Sequence, residues 1–78
     1  MPHIGIKMLA GRTEEQKQKA AQAVKDALAN ALNMGDHYIT VTVEDYTAEE
    51  WQNLFKTEIT DKPDKVYVKP NYDPKSLL

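Results

Sequence analysis

The sequence predicts an α+β fold built on an α/β-type βαβ unit. A parallel two-stranded sheet is joined by one long helix, and a second short helix and a carboxyl-terminal arm follow. Three observations carry this. Residues 3–9 and 37–46 alternate apolar and polar side chains, the period of a strand with one covered face. Residues 14–33 between them place apolar side chains at three- and four-residue steps, the period of an amphipathic helix. Strand, long helix and strand in that order form a parallel pair with a right-handed crossover.

In the first strand Ile4, Ile6 and Met8 point one way, and His3, Gly5, Lys7 and Leu9 the other. Ala-Gly-Arg then turns the chain. Thr13 with Gln16 makes a capping box, and Glu14 and Glu15 put negative charge at the helix start. The helix stripe is Ala20, Ala21, Val24, Ala27, Leu28, Ala31 and Leu32; its small alanines allow close approach to a sheet. Gly35 is the residue expected to end the helix in the left-handed conformation. In the second strand Ile39, Val41 and Val43 share one face, and Thr40, Thr42 and Glu44 the other. Thr47 with Glu50 is a second capping box, opening a short helix with an apolar side of Trp51, Leu54 and Phe55. Residues 65–69, KVYVK, read as a short strand or an extended arm. Pro63, Pro70 and Pro74 break up a tail expected to be irregular, mobile or in contact with a partner.

A chain of 78 residues is expected to be a single domain, with the βαβ core at about 2–46 and the short helix and arm at about 47–78. At this length folding buries only about 60–65% of the unfolded chain's surface, so small domains often rely on disulfides, a metal or oligomerisation. There is no cysteine, and the two histidines, His3 and His37, lie far apart without ligand spacing. Self-association remains. The open edges and uncovered face of a two-stranded sheet point the same way, toward a second copy. Ten Lys and Arg against twelve Asp and Glu, with no basic block, do not suit a nucleic-acid binder. No apolar run approaches the roughly 20 residues of a membrane span, and no charged segment precedes an apolar one as in a secretory signal. A cytoplasmic protein is the expectation.

Familiar catalytic arrangements are missing. The only serine is Ser76 in the tail, the three glycines form no phosphate loop, and no nucleophile–histidine pair is available. Pro2 is different. Methionine aminopeptidases generally remove Met1 before a small second residue, which here leaves a secondary amine at the head of a strand. Burial or a nearby cation disfavours the charged form of such an amine and lowers its pKa. A neutral amine can act as a general base or attack a carbonyl. By position alone the stronger reading of Pro2 is a stiff strand start. Arg12 has an alternative reading as a solvated turn residue, and Trp51 one as a core residue.

The segment PHIGIKMLAGRTEEQKQ resembles the amino terminus of the 4-oxalocrotonate tautomerase family, whose strand starts at a catalytic proline and whose turn reads G-R-[ST]-x-E-Q-K. GRTEEQK at 11–17 reproduces that turn at the same spacing. The segments AEEWQNLFKTEI and VKPNY resemble the longer, phenylpyruvate-tautomerase-like subgroup with a tryptophan in the second helix. The resemblance implies a cofactor-independent keto–enol tautomerase. Pro2 would be the general base, Arg12 the carboxylate binder that helps keep the amine uncharged, and Trp51 an aromatic pocket wall. It also implies a homo-oligomer, with a dimer favoured over a hexamer.

One departure matters. Family members that act on dicarboxylates carry a second arginine where this chain has Thr40. A hydroxyl pairs with no second carboxylate, so the resemblance implies a small or aromatic 2-keto acid enol such as phenylenolpyruvate, with Thr40 lining the substrate site. His3 and His37 are also candidates to line a pocket; His3, alternating with the apolar strand residues, reads rather as a solvent or interface residue. Two other readings fit the fold: a dehalogenase or hydratase of a small unsaturated acid, and a non-catalytic oligomeric scaffold. The first usually needs more arginines than the one here.

Overall fold

A computed structural model describes residues 1–78 as two compact units, Met1–Asp45 and Tyr46–Leu78. The first holds strand β1 (His3–Leu9), helix α1 (Glu14–Leu32) and nearly all of strand β2 (Thr40–Tyr46). β1 and β2 form a two-stranded parallel sheet, as the alternation predicts. The Thr40 amide donates to the Pro2 carbonyl at 3.3 Å, so β2 enters the sheet beside the start of β1.

α1 begins where its cap dictates. Thr13 Oγ1 accepts from the Gln16 amide at 3.1 Å, and Gln16 Oε1 accepts from the Thr13 amide at 2.9 Å. Two amides that the helix leaves without carbonyls are thereby satisfied. The other end differs from expectation. Asn33, not Gly35, takes the left-handed conformation, at φ 51°, and its amide bonds back to Ala29 and Asn30. Asparagine tolerates that region because its short amide bonds locally. Gly35 is extended, at φ −65°. His37 and Tyr38 also leave the expected strand. They sit in a 3-10 turn, Asp36–Tyr38, held by the Ile39 amide on the Asp36 carbonyl at 3.1 Å, and β2 starts only at Thr40.

The core of this unit is thin. Ile39 is its one buried side chain; Ala20, Ala21, Val24 and Leu28 of α1 are half-covered, while Ala27, Ala31 and Leu32 are exposed. A nineteen-residue helix that buries none of its residues leaves much of its apolar stripe in solvent.

The second unit opens on the other predicted capping box. Thr47 and Glu50 exchange bonds of 2.8 and 3.1 Å at the start of helix α2 (Ala48–Phe55). α2 buries Leu54 and Phe55 and runs on into a π-helical turn, Lys56–Thr60. Truncating either buried side chain to alanine should cost about 3 kcal/mol. KVYVK does not form a strand: Lys65 closes a 3-10 turn, and Tyr67 and Val68 stand 94% and 89% exposed. The tail is more ordered than its prolines suggest. Asp73 Oδ1 accepts from the Lys75 amide at 2.9 Å and caps a last turn, Pro74–Leu77. No helix is long and apolar enough to cross a membrane.

Candidate active site

Pro2 stands one residue ahead of β1, half-exposed, with its carbonyl held by the Thr40 amide. It has no N–H to give to a ladder, so the strand loses nothing by starting on it. The Met1 side chain before it is 92% exposed.

β-pairing sets the surroundings of Pro2. His3 is the first residue of β1 and Thr40 the first of β2, and neighbouring strands lie about 4.8 Å apart. Thr40 and Thr42 are two residues apart and share a face, and His3 faces the same side. His3 Nδ1 lies 2.6 Å from Thr40 Oγ1, and His3 Nε2 lies 3.5 Å from Thr42 Oγ1. His3 is exposed, as its reading as a solvent residue expects, and it also joins this group. Alternation placed it on the right face, but register across the sheet, invisible in one strand, decides which residue it meets.

Arg12 lies at the other end of the sheet. After Leu9 the chain turns through Gly11, whose φ of 128° is a conformation side-chain-bearing residues rarely adopt. Arg12 emerges exposed, ahead of the α1 cap. The nearby cation, Lys17, is fully engaged: its Nζ lies 2.8 Å from Glu14 and 3.0 Å from Asp45 at the end of β2. The bond to Glu14, then the bond to Asp45, holds the Lys17 ammonium above its ordinary range. Arg12 has no such carboxylate partner in the chain.

One chain thus brings Pro2 and Thr40 together and keeps Arg12 away. β1 is unbroken over seven residues, and six rises of about 3.3 Å put roughly 20 Å between its end residues. No side chain spans that gap.

Trp51 belongs to the second unit. Its indole N–H donates to the Tyr72 hydroxyl at 3.1 Å, and the Tyr46 ring meets it edge-on at 6.3 Å. Tyr72 packs edge-on against Phe55 at 5.6 Å, completing an aromatic cluster in which Trp51 stays half-exposed.

A groove of about 390 Å³ runs between α1 and β2, with Ile39, Val41 and Val43 on its floor and Lys17, Gln18 and Lys25 on its rim. Neither Pro2, Arg12 nor Thr40 lines it, so the groove is not where the candidate chemistry gathers. No three His, Asp or Glu side chains converge into a metal-binding group.

Residues 2–53 match the family model described as tautomerase enzyme, and the match begins at Pro2. Tautomerase PptA of Escherichia coli strain SMS-3-5 is 33% identical over 73 residues, covering 92% of this chain and 97% of that protein. The PptA of strain K12 is 32% identical, covering 92% of this chain and 95% of that protein. Among solved structures, apo unfused 4-OT superposes with a TM-score of 0.61 at 30% identity, over 64% of this chain and 82% of that one. YwhB, a homologue of 4-oxalocrotonate tautomerase, gives 0.60 at 31% identity, over 63% and 80%.

Proposed function

The chain belongs to the tautomerase family and is an isomerase, and from that premise we propose that Pro2, freed of Met1, is the base that carries the proton. The observation that carries this is the start of the family match at residue 2, on the one residue whose backbone nitrogen becomes a secondary amine. The substrate is a 2-keto acid in its enol form. The uncharged amine takes the proton from the enol oxygen, the C2–O bond becomes a carbonyl, and the ammonium returns a proton to C3. Atoms and charge balance within one molecule and one enzyme group. A well-placed base of this kind contributes about 10²–10⁴-fold.

Arg12 binds the substrate carboxylate. It is the chain's only arginine, and its planar fork matches a carboxylate in a way lysine does not. The length of β1 supports an arginine supplied by a second copy, which makes each site one shared across an interface, in a dimer by preference. One guanidinium per site, with Thr40 as the polar neighbour of Pro2, favours a monocarboxylate such as phenylenolpyruvate over a dicarboxylate. Trp51 is the aromatic surface for the substrate ring; its N–H is given to Tyr72, and the side chain stays half-exposed.

The test is an ultraviolet enol–ketone assay on protein shown by intact mass to lack Met1. Pro2→Ala should lower phenylenolpyruvate ketonisation at least about tenfold, below the usual range for a base. Unchanged turnover would refute the amine. Mixing Pro2→Ala with Arg12→Ala subunits should restore about a quarter of wild-type activity if dimers reassort freely, since half are mixed and each mixed dimer holds one intact site. No recovery after proven subunit exchange would mean that the two residues do not meet across an interface.

A further inference from the structure

We propose that His3 is a positioning residue that turns the Thr40 hydroxyl outward as a hydrogen-bond donor, so that Thr40 binds the 2-oxygen of the substrate beside Pro2. The proposal rests on the Pro2 reading above and adds the group that receives the oxygen. Its basis is the 2.6 Å approach of His3 Nδ1 to Thr40 Oγ1, on a residue whose own amide holds the Pro2 carbonyl. Thr40 is thus tied to the Pro2 segment twice, once through backbone and once through a side chain.

Hydrogen-bond direction decides what Thr40 offers. A neutral imidazole has one donor and one acceptor nitrogen. Thr42 Oγ1, at 3.5 Å, faces Nε2. If Thr42 donates to Nε2, the ring proton sits on Nδ1, Nδ1–H donates to Thr40, and the Thr40 proton points to the ligand. The reverse order turns the Thr40 proton inward and presents lone pairs to the substrate. As the amine withdraws the enol proton, negative charge grows on the 2-oxygen, and a donor aimed there is stabilising where lone pairs repel. Only the first order serves the reaction. The Thr42 contact is long, so it biases the ring rather than clamping it.

The neighbouring floor has room for the acid. Gly5, the next β1 residue on this face, has no side chain, and a Cβ built there would meet only Thr42 Oγ1, at an ordinary 3.8 Å. The charged residues farther along the same face are Lys7 and Glu44, and each has a partner.

Long-range ¹H–¹⁵N spectra of histidine-labelled, Met1-free protein, with and without phenylpyruvate, test the arrangement directly. The expected result is a proton on His3 Nδ1 in the ligand-bound protein, with Thr42→Val shifting the balance toward Nε2–H. A bare Nδ1 in the bound protein overturns the proposal. In kinetics, His3→Leu should lower kcat about tenfold, the usual worth of a hydrogen bond to a group that becomes charged in the transition state, with KM little changed and Tm unchanged. His3→Asn, whose amide N–H takes the place of Nδ1–H, should return kcat to within about threefold of wild type. Thr40→Val should match His3→Leu, and the double variant should be no worse than either, as expected of residues acting in series. If Pro2→Ala destroys turnover while His3→Leu leaves kcat unchanged, only the present inference fails. If Pro2→Ala leaves turnover intact, the base assignment fails, and the spectra still decide the ring.

Discussion

The two ends of the sheet carry opposite kinds of chemistry. At the end where both strands start, Pro2, His3, Thr40 and Thr42 form a group of hydroxyls, one imidazole and one proline, with the Lys25–Asp36 pair at 3.9 Å in the turn ahead of β2. At the end where both strands finish, charge dominates: Lys17 ties Glu14 to Asp45, and Arg12 stands beside the helix start without a partner. In the reading proposed above, the base belongs to the first end and the carboxylate binder, its charge unspent, to the second. A strand's length lies between them, and the proposed second copy brings the cation back to the amine, where it favours the uncharged form. The open apolar stripe of α1 agrees with this, since a helix with no buried residue is unfinished packing.

The largest expected effect comes from disabling the Pro2 end. Protein that retains Met1, in which the Pro2 nitrogen is an amide, should lose the full contribution of the base, about 10²–10⁴-fold in kcat/KM, in an assay run beside the processed form. Arg12→Ala comes next. It should raise KM for a carboxylate substrate about tenfold or more while kcat falls less, and Arg12→Lys should recover only part of the loss. A KM that stays put would move carboxylate binding away from the charged end.

Smaller effects test the scaffold that sets the two ends apart. Thr13→Ala removes the cap that starts α1 beside Arg12 and should cost about 1 kcal/mol in urea unfolding. Lys17→Met should lower Tm slightly without touching KM. Because Lys17 is held above its ordinary 10.5, its contribution is complete below that value and fades as pH rises through the raised one. The Tm difference between wild type and Lys17→Met should therefore be level from neutral pH to about 10 and shrink beyond. A difference that vanished at neutral pH would show that the clamp between Glu14 and Asp45 contributes nothing.

Legibility in the sequence followed the range of the interactions. Both capping boxes were readable because donor and acceptor lie three residues apart, and all four bonds are present. The bounds of β1 were readable because alternation runs unbroken from His3 to Leu9. The end of α1 was not, because Asn33 and Gly35 both tolerate the left-handed region and only the helix's actual length chooses between them. KVYVK has strand composition, yet composition makes no strand without a neighbour to bond. The candidate site divided in the same way. Pro2 and Arg12 stood out by residue type and spacing, whereas the contact of His3 with Thr40 joins residues 37 apart.

The amino-acid sequence by itself determined the helix starts, the strand faces, the family and the two residues with distinctive chemistry, since each depends on neighbours within a few positions. Tertiary structure alone decided the register of β2 on β1, the partner of the His3 ring and the distance between Pro2 and Arg12. Those depend on where distant segments meet, and pairing energy across a sheet is set by all of its residues together rather than by any short run.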